Sequence, residues 1–291
     1  MSGLIDSFLT CEPRNEVVYG MTFGDYQSAC GLNASALKSM ATSPLQFYHD
    51  WYKPRKDTPS MRLGRAIHCA LLEPAELEKR YRLWTGGDKR KCPKEWKAFK
   101  AECALAGAEI LDEDGPISLT AIQAAAERWR QHKPTMAALA GSRPEVSLFW
   151  HDGVIQWKAR VDLLREDLLG DVKTSVDIRP YPFRSSCEKY EYPMQLGIYR
   201  EGVSVLLKRK LPVQLLCIQN SAPYDCRVYA MPEDDLDWGW VRAKDLAAKV
   251  VECVKANDWP GQGADEVEML PPPSAWQRED DEDTFTEGDY E

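Results

Sequence analysis

The stretch VIQWKARVDLLREDLLGDVKTS, residues 154–175, decides how the rest of the chain is read. Apolar residues alternate with polar ones on either side of Arg165-Glu166, which predicts two strands joined by a tight turn. Upstream, EVSLFW (145–150) alternates in the same way and is separated from 154–164 by His-Asp-Gly at 151–153, a hairpin signal. DLLGDVKTS (167–175) then becomes a third, adjacent antiparallel strand. Residues two apart on a strand project to one face, so Asp171 and Lys173 are neighbours while Val172 points into the opposite layer. Asp162 sits between Val161 and Leu163 on the preceding strand, and the expected pairing sets its carboxylate beside that of Asp171. Two such carboxylates repel and lose hydration unless a cation neutralises them. Hard oxygen ligands suit Mg²⁺, with Mn²⁺ as a substitute. The ordinary alternative is a salt bridge from Lys173 to either Asp at a sheet edge.

Outward from this centre the period changes. Residues 33–53 predict a helix capped at Asn33 or Ser35 and broken at Ser43-Pro44; 61–74 predict a second, ended by Pro74. Helical spacing also covers 94–107 and 118–140, the latter split near Pro134, and 186–201 and 234–257; 212–220 and 226–231 read as strands. Helices first, then a small mixed sheet flanked by helices, predict an α/β or α+β fold. The expected organisation is an N-terminal segment (1–32) without clear periodicity, a body (33–260), and a Pro-rich, acidic tail (261–291) with the composition of a disordered segment.

Composition narrows the function. No apolar run reaches the length of a membrane span and the N-terminus lacks the pattern of a signal peptide, which predicts a cytoplasmic protein with no membrane partner. Nine cysteines are scattered without a CxxC pair, so neither a zinc site nor a disulfide framework is indicated. The net charge of −9 is uneven: of 46 acids and 37 bases, residues 278–291 hold eight and one, which leaves 38 and 36 in the other 277 residues. Within that near-neutral body, KRKCPKEWKAFK (89–100) sets Lys89, Arg90, Lys91, Lys94, Lys97 and Lys100 against Glu95 alone. Such a run can contact nucleic-acid phosphates or simply be a solvated helix face.

The order of the polar residues is more specific than any one of them. Gly64 and His68 lie on an early helix, Glu145 opens a strand, Asp162 follows in ARVDLL, Asp171 and Lys173 in GDVKTS, and Gln195 and Tyr199 in QLGIY. This set resembles the RecB-like branch of the PD-(D/E)xK nucleases, and more closely the C-terminal nuclease domain of RecE-type exonuclease VIII. The resemblance spans roughly residues 33–255, including the opening SALKSMATSPLQFYHDW (35–51). It implies a restriction-endonuclease-like core with His68, Asp162, Asp171 and the Val172 carbonyl as ligands of Mg²⁺ and Lys173 as the catalytic lysine. It further implies Gln195 and Tyr199 beside the active site, and a catalytic role for Glu145. Arg62, Arg65 and Arg160, with Lys89, Lys91 and Lys94, are the expected DNA contacts. The implied activity is a Mg²⁺-dependent exonuclease that degrades linear duplex DNA from its 5′ ends. Its implied partners are double-stranded DNA ends, a RecT-type annealing protein and copies of itself in a ring-shaped homo-oligomer. The alternatives are a structure-specific or restriction-like endonuclease using the same site, and a non-catalytic DNA-end-binding scaffold.

Overall fold

The computed structural model of the protein describes residues 5–53, 58–111, 118–263, 267 and 269; most of the expected tail lies outside them. Helix α1 (Ser7–Thr10) and strand β1 (Glu16–Val18) lead into α2 (Phe23–Ser28), α3 (Ala34–Thr42) and α4 (Pro44–Tyr52). Next come α5 (Pro59–Leu72), a 3-10 turn (Pro74–Glu76), α6 (Leu77–Arg80), β2 (Tyr81–Leu83), α7 (Pro93–Leu105) and β3 (Glu109–Leu111). The second half comprises α8 (Leu119–Gln131), α9 (Lys133–Leu139), β4 (Arg143–His151), β5 (Gln156–Leu164) and β6 (Leu169–Ser175). It closes with α10 (Pro180–Lys189), α11 (Tyr192–Leu207), β7 (Val213–Gln219), β8 (Cys226–Ala230) and α12 (Glu233–Ala256).

The helix breaks have chemical causes. Asn33 caps α3 by accepting from the Ala36 N–H, and Ser43 caps α4 by accepting from Gln46, with Pro44 in the first turn where no N–H is needed. Pro134 likewise stands in the first turn of α9 and divides the expected 118–140 helix. The expected helix over 186–201 is instead two, α10 and α11. Pro193 cannot donate and starts α11, and Glu191 turns the corner at φ 53° while its carboxylate accepts from Arg242 of α12 at 2.9 Å.

The main sheet runs β1-β4-β5-β6-β7-β8, with β6 and β7 parallel and every other pair antiparallel. β2 and β3 form a separate parallel pair. The expected mixed sheet flanked by helices is therefore present. β1 pairs with β4 from Glu16↔Phe149 to Val18↔Ser147, so residues read as aperiodic join the sheet edge; three residues are too few to show alternation.

Each face of the sheet buries a core. On one, Leu148, Trp150, Trp157, Val161, Leu169 and Leu215 pack under α3, α11 and α12 through Leu37, Met194, Ile198 and Leu246. On the other, Leu163, Val172, Leu216 and Ile218 pack under α5 and α8 through Leu63, Ile67, Ile122 and Trp129. Helices α11 and α12 cross so closely that a Cβ on Gly239 would fall 2.0 Å from the Pro193 carbonyl oxygen. The nine cysteines are free, and five of them (Cys69, Cys103, Cys187, Cys217, Cys226) are buried as small core residues. Among the described residues no helix is long and apolar enough to cross a membrane.

Candidate active site

β4 and β5 pair in one register, Pro144↔Leu163 and Val146↔Val161, which sets Glu145 opposite Asp162. Glu145 adopts φ 54°, a left-handed conformation that is unfavourable for a side chain of this size. At the same level the alternation of β5 breaks: Val161 packs in the α11-side core and Leu163 in the α5-side core. β5 and β6 register only at Leu163↔Gly170 and Leu164↔Leu169 and then part. Asp162 stands where they part. Its Oδ2 accepts from the Val172 N–H at 2.7 Å, a side chain replacing the lost rung of the ladder.

Helix α5 brings His68 to these two acids. A Cβ on Gly64 would lie 2.9 Å from Thr174 Oγ1, so glycine lets α5 settle directly on β6. One turn on, His68 Nδ1 lies 3.1 Å from Glu145 Oε1 and Nε2 lies 2.9 Å from Asp162 Oδ2. Burial alone opposes a charged His68, but Asp162 and Glu145 outweigh it and raise its pKa to about 10. Burial likewise works against the Asp162 carboxylate; His68, Lys173 and the Val172 N–H overcome it and hold Asp162 below the ordinary range. Glu145 is steadied from behind by Arg160, which also donates to Met21 O at 2.9 Å and Ser147 Oγ at 3.1 Å. Arg160 is thus a buried brace with 9% side-chain exposure rather than the expected DNA contact.

Asp171 and Lys173 face the α11 side. Lys173 Nζ lies 2.5 Å from Asp171 Oδ2. This is the salt bridge of the ordinary reading, but in the middle of the sheet rather than at its edge, with Asp171 fully buried. Burial pushes Asp171 up to about 6 against the pull of Lys173, with Asp162 adding to the rise. The Lys173 ammonium is also disfavoured by burial, yet Asp171 and Asp162 keep its pKa above the ordinary lysine value. Gln195 Nε2 donates to Asp171 Oδ1 at 3.2 Å and to the Tyr199 hydroxyl at 2.9 Å. Gln195 and Tyr199 therefore act as one face of α11 beside Asp171, four residues apart.

Lys38 is the residue that sequence reasoning passed over. From α3 its Nζ donates to Gln195 Oε1 at 2.7 Å. An ammonium can only donate, so it fixes which end of the Gln195 amide is oxygen and turns the NH₂ toward Asp171. Burial and then repulsion from Lys173 lower its pKa to about 7. Both ammonium groups lie over the Tyr192 ring, Lys38 at 5.2 Å and Lys173 at 4.7 Å from its centroid. The one signal was its place within the SALKSM opening; a Lys on an amphipathic helix otherwise looks like a solvated residue.

The group that could hold a metal is His68, Glu145 and Asp162, with ligand atoms all within 4.8 Å of one another. It differs from the expected set of His68, Asp162 and Asp171: Glu145 enters, and Asp171 lies outside the group. The donor chemistry suits a hard divalent cation. Asp171 stands nearby, but its Oδ2 is already met by the Lys173 ammonium at 2.5 Å. Val172, the other expected ligand, gives its N–H to Asp162 and its side chain to the α5-side core. Arg62 and Arg65 on α5 are engaged by Glu109 of β3, at 2.8 and 2.9 Å. Lys89, Lys91 and Lys94 lie on α7 and the loop before it, in the β2–β3 unit.

A split sheet with its acids, imidazole and Asp-x-Lys strand at the point of splitting defines a PD-(D/E)xK nuclease fold. The profile of the family described as a PDDEXK-like domain of unknown function (DUF3799) matches residues 33–271, and the chain belongs to that family. No curated protein matches the chain. Among solved structures, a protein of Eubacterium rectale described as a candidate exonuclease is 15% identical, covers 89% of this chain and 98% of its own, and superposes with a TM-score of 0.59. LHK-Exo in complex with dAMP is 16% identical over 68% of this chain and 93% of its own, with a TM-score of 0.29. SSO0001 is 16% identical over 65% and 85%, with a TM-score of 0.28.

Proposed function

We propose that the protein is a metal-dependent exodeoxyribonuclease of RecE type, hydrolysing linear double-stranded DNA. The observation that carries the reading is the meeting of His68, Glu145 and Asp162 within 4.8 Å of one another, where the strand bearing Asp171 and Lys173 parts from β5. His68, Glu145 and Asp162 would hold Mg²⁺ or Mn²⁺, while Asp171 keeps its ion pair with Lys173 beside them. Such a cation acidifies a bound water and neutralises charge that builds on a phosphodiester. The Lys173 ammonium places a fixed positive charge at the same point, where it stabilises the developing oxyanion and orients the attacking water. Gln195 holds Asp171 in position and Lys38 holds Gln195. Arg160 braces the Glu145 carboxylate.

The resemblance of the ordered motifs supports the finer reading: attack from 5′ ends, 3′ single-stranded tails passed to a RecT-type annealing partner, a ring of like subunits, and a cytoplasmic setting. The test is nucleotide release from linear duplex DNA labelled at one 5′ end, in Mg²⁺ or EDTA, comparing the protein with its Lys173→Ala variant. Mg²⁺-dependent release that the variant lacks supports the reading. Cutting of covalently closed circular DNA replaces it with an endonuclease, and no release in either Mg²⁺ or Mn²⁺ removes it.

A further inference from the structure

The basic run at 89–100 and the small unit that carries it play no part in the site described above. Helix α7 stands between β2 and β3, which pair only with each other. Of its thirteen residues Cys103 alone is buried, so this helix does not owe its position to a core. Trp96 and Phe99 stack at 6.0 Å between ring centroids, and Trp84 from the β2 end meets both, at 5.3 and 5.2 Å. This half-exposed aromatic plate carries cations. Lys89 Nζ lies 4.8 Å and Lys100 Nζ 5.5 Å from the Trp96 centroid.

Around the plate lie further lysines, with Glu95 among them. Lys91, Lys94 and Lys97 are exposed and have no ion pair among the described residues. Glu102, the acid further along α7, is taken by Arg82 at 2.5 Å. Lys94, Lys97 and Lys100 climb the helix in steps of about 4.5 Å, three residues at a time. The unit is also tied to the site: Glu109 on β3 grips Arg62 and Arg65 of α5, and Arg65 precedes His68 by three residues on that helix.

We infer that residues 81–111 form a nucleic-acid arm, in which Lys91, Lys94 and Lys97 hold the phosphate backbone of DNA outside the cleavage site. This rests on the nuclease reading for the identity of the polyanion, and its energetic content is counterion release. Each phosphate neutralised adds about 0.9 to the slope of log affinity against log salt for duplex DNA. Loss of three contacts therefore makes that slope shallower by about 2 to 3. The aromatic plate fixes Lys89 and Lys100, so part of the cationic surface is ordered before DNA arrives.

The experiment measures binding of a fluorescently end-labelled 30-base-pair duplex in EDTA, across a salt series, so that no cleavage intervenes. The full chain is compared with K91E/K94E/K97E and with K91R/K94R/K97R. The Glu variant is expected to lose affinity about tenfold or more at low salt, with a shallower salt slope and an unchanged melting temperature; the Arg variant keeps the affinity. An unchanged affinity and slope in the folded Glu variant overturns the arm. Cleavage by the unmodified protein is read separately. Salt-dependent binding through these lysines without nucleotide release sinks the nuclease and leaves the arm, whereas release with an unchanged slope does the reverse.

Discussion

On the α5 side of the site two carboxylates, Glu145 and Asp162, share one imidazole; on the α11 side one carboxylate, Asp171, is held between an ammonium and an amide. The first arrangement is neutralised by an imidazolium that can ligate a cation once it gives up its proton, and the three ligand atoms already lie close together. The second is neutralised by Lys173, whose charge Asp171 and Asp162 sustain. The difference teaches a division of labour. One half has the donors to receive a metal, and the other supplies a permanent positive charge that needs none.

The sharpest way to break this comparison is Asp162→Asn. It removes a proposed ligand while leaving an acceptor for the Val172 N–H, and it should abolish Mn²⁺ binding by calorimetry and cut single-turnover nucleotide release by about 10³-fold. Lys173→Ala should reduce release by about 10²-fold yet keep Mn²⁺ binding. If the lysine variant also loses the metal, the two halves are one site and the division fails.

A smaller effect concerns Lys38. Its folded pKa is lowered to about 7 from the ordinary 10.5. Between those values the unfolded chain holds more protons than the folded one, so the stability of the protein rises with pH across that window and the burial penalty is complete below pH 7. Lys38→Met removes the amine. Its stability relative to the parent, from urea denaturation, should be greater at pH 6 than at pH 9 by about 2–3 kcal/mol. A pH-independent difference would show that the amine is not held in that buried state. The smallest effect is steric. Gly64→Ala should push α5 off Thr174 and weaken Mn²⁺ binding severalfold, about 1 kcal/mol, with recovery in the Gly64→Ala/Thr174→Ala double variant. Failure of the second change to restore binding would mean that Gly64 serves the helix rather than the approach of His68.

Much of this arrangement was legible beforehand because it rests on local patterns. The hairpin of β4 and β5 followed from alternation around Asp152-Gly153, and the neighbouring of Asp171 and Lys173 from the pleat of one strand. The helix starts at Asn33 and Ser43 announced themselves by capping chemistry. What escaped was less local. Nothing in the spacing of Glu145 indicates a left-handed backbone, and nothing in β5 indicates that its alternation breaks at Asp162, whose carboxylate meets His68. Arg160 looked like a phosphate contact because a strand arginine with no visible partner is usually solvated; its partner Glu145 is fifteen residues away, across the sheet. Lys38 and Gln195 are separated by 157 residues, and only the packing of α3 on α11 joins them.

The sequence by itself determined which elements form and which chemical groups they carry, since strand alternation, helix caps and proline breaks act over a few residues. It also determined, through the order of its polar residues, the class of fold. Only the tertiary structure decided which groups meet. The candidate cation-binding set gained Glu145 because β4 and β5 pair in one register while α5 rests on β6 at Gly64. Lys38 became a half-buried partner because two helices far apart in sequence close over the same face of the sheet. Contacts of that kind depend on the whole chain being folded, and no window of sequence contains them.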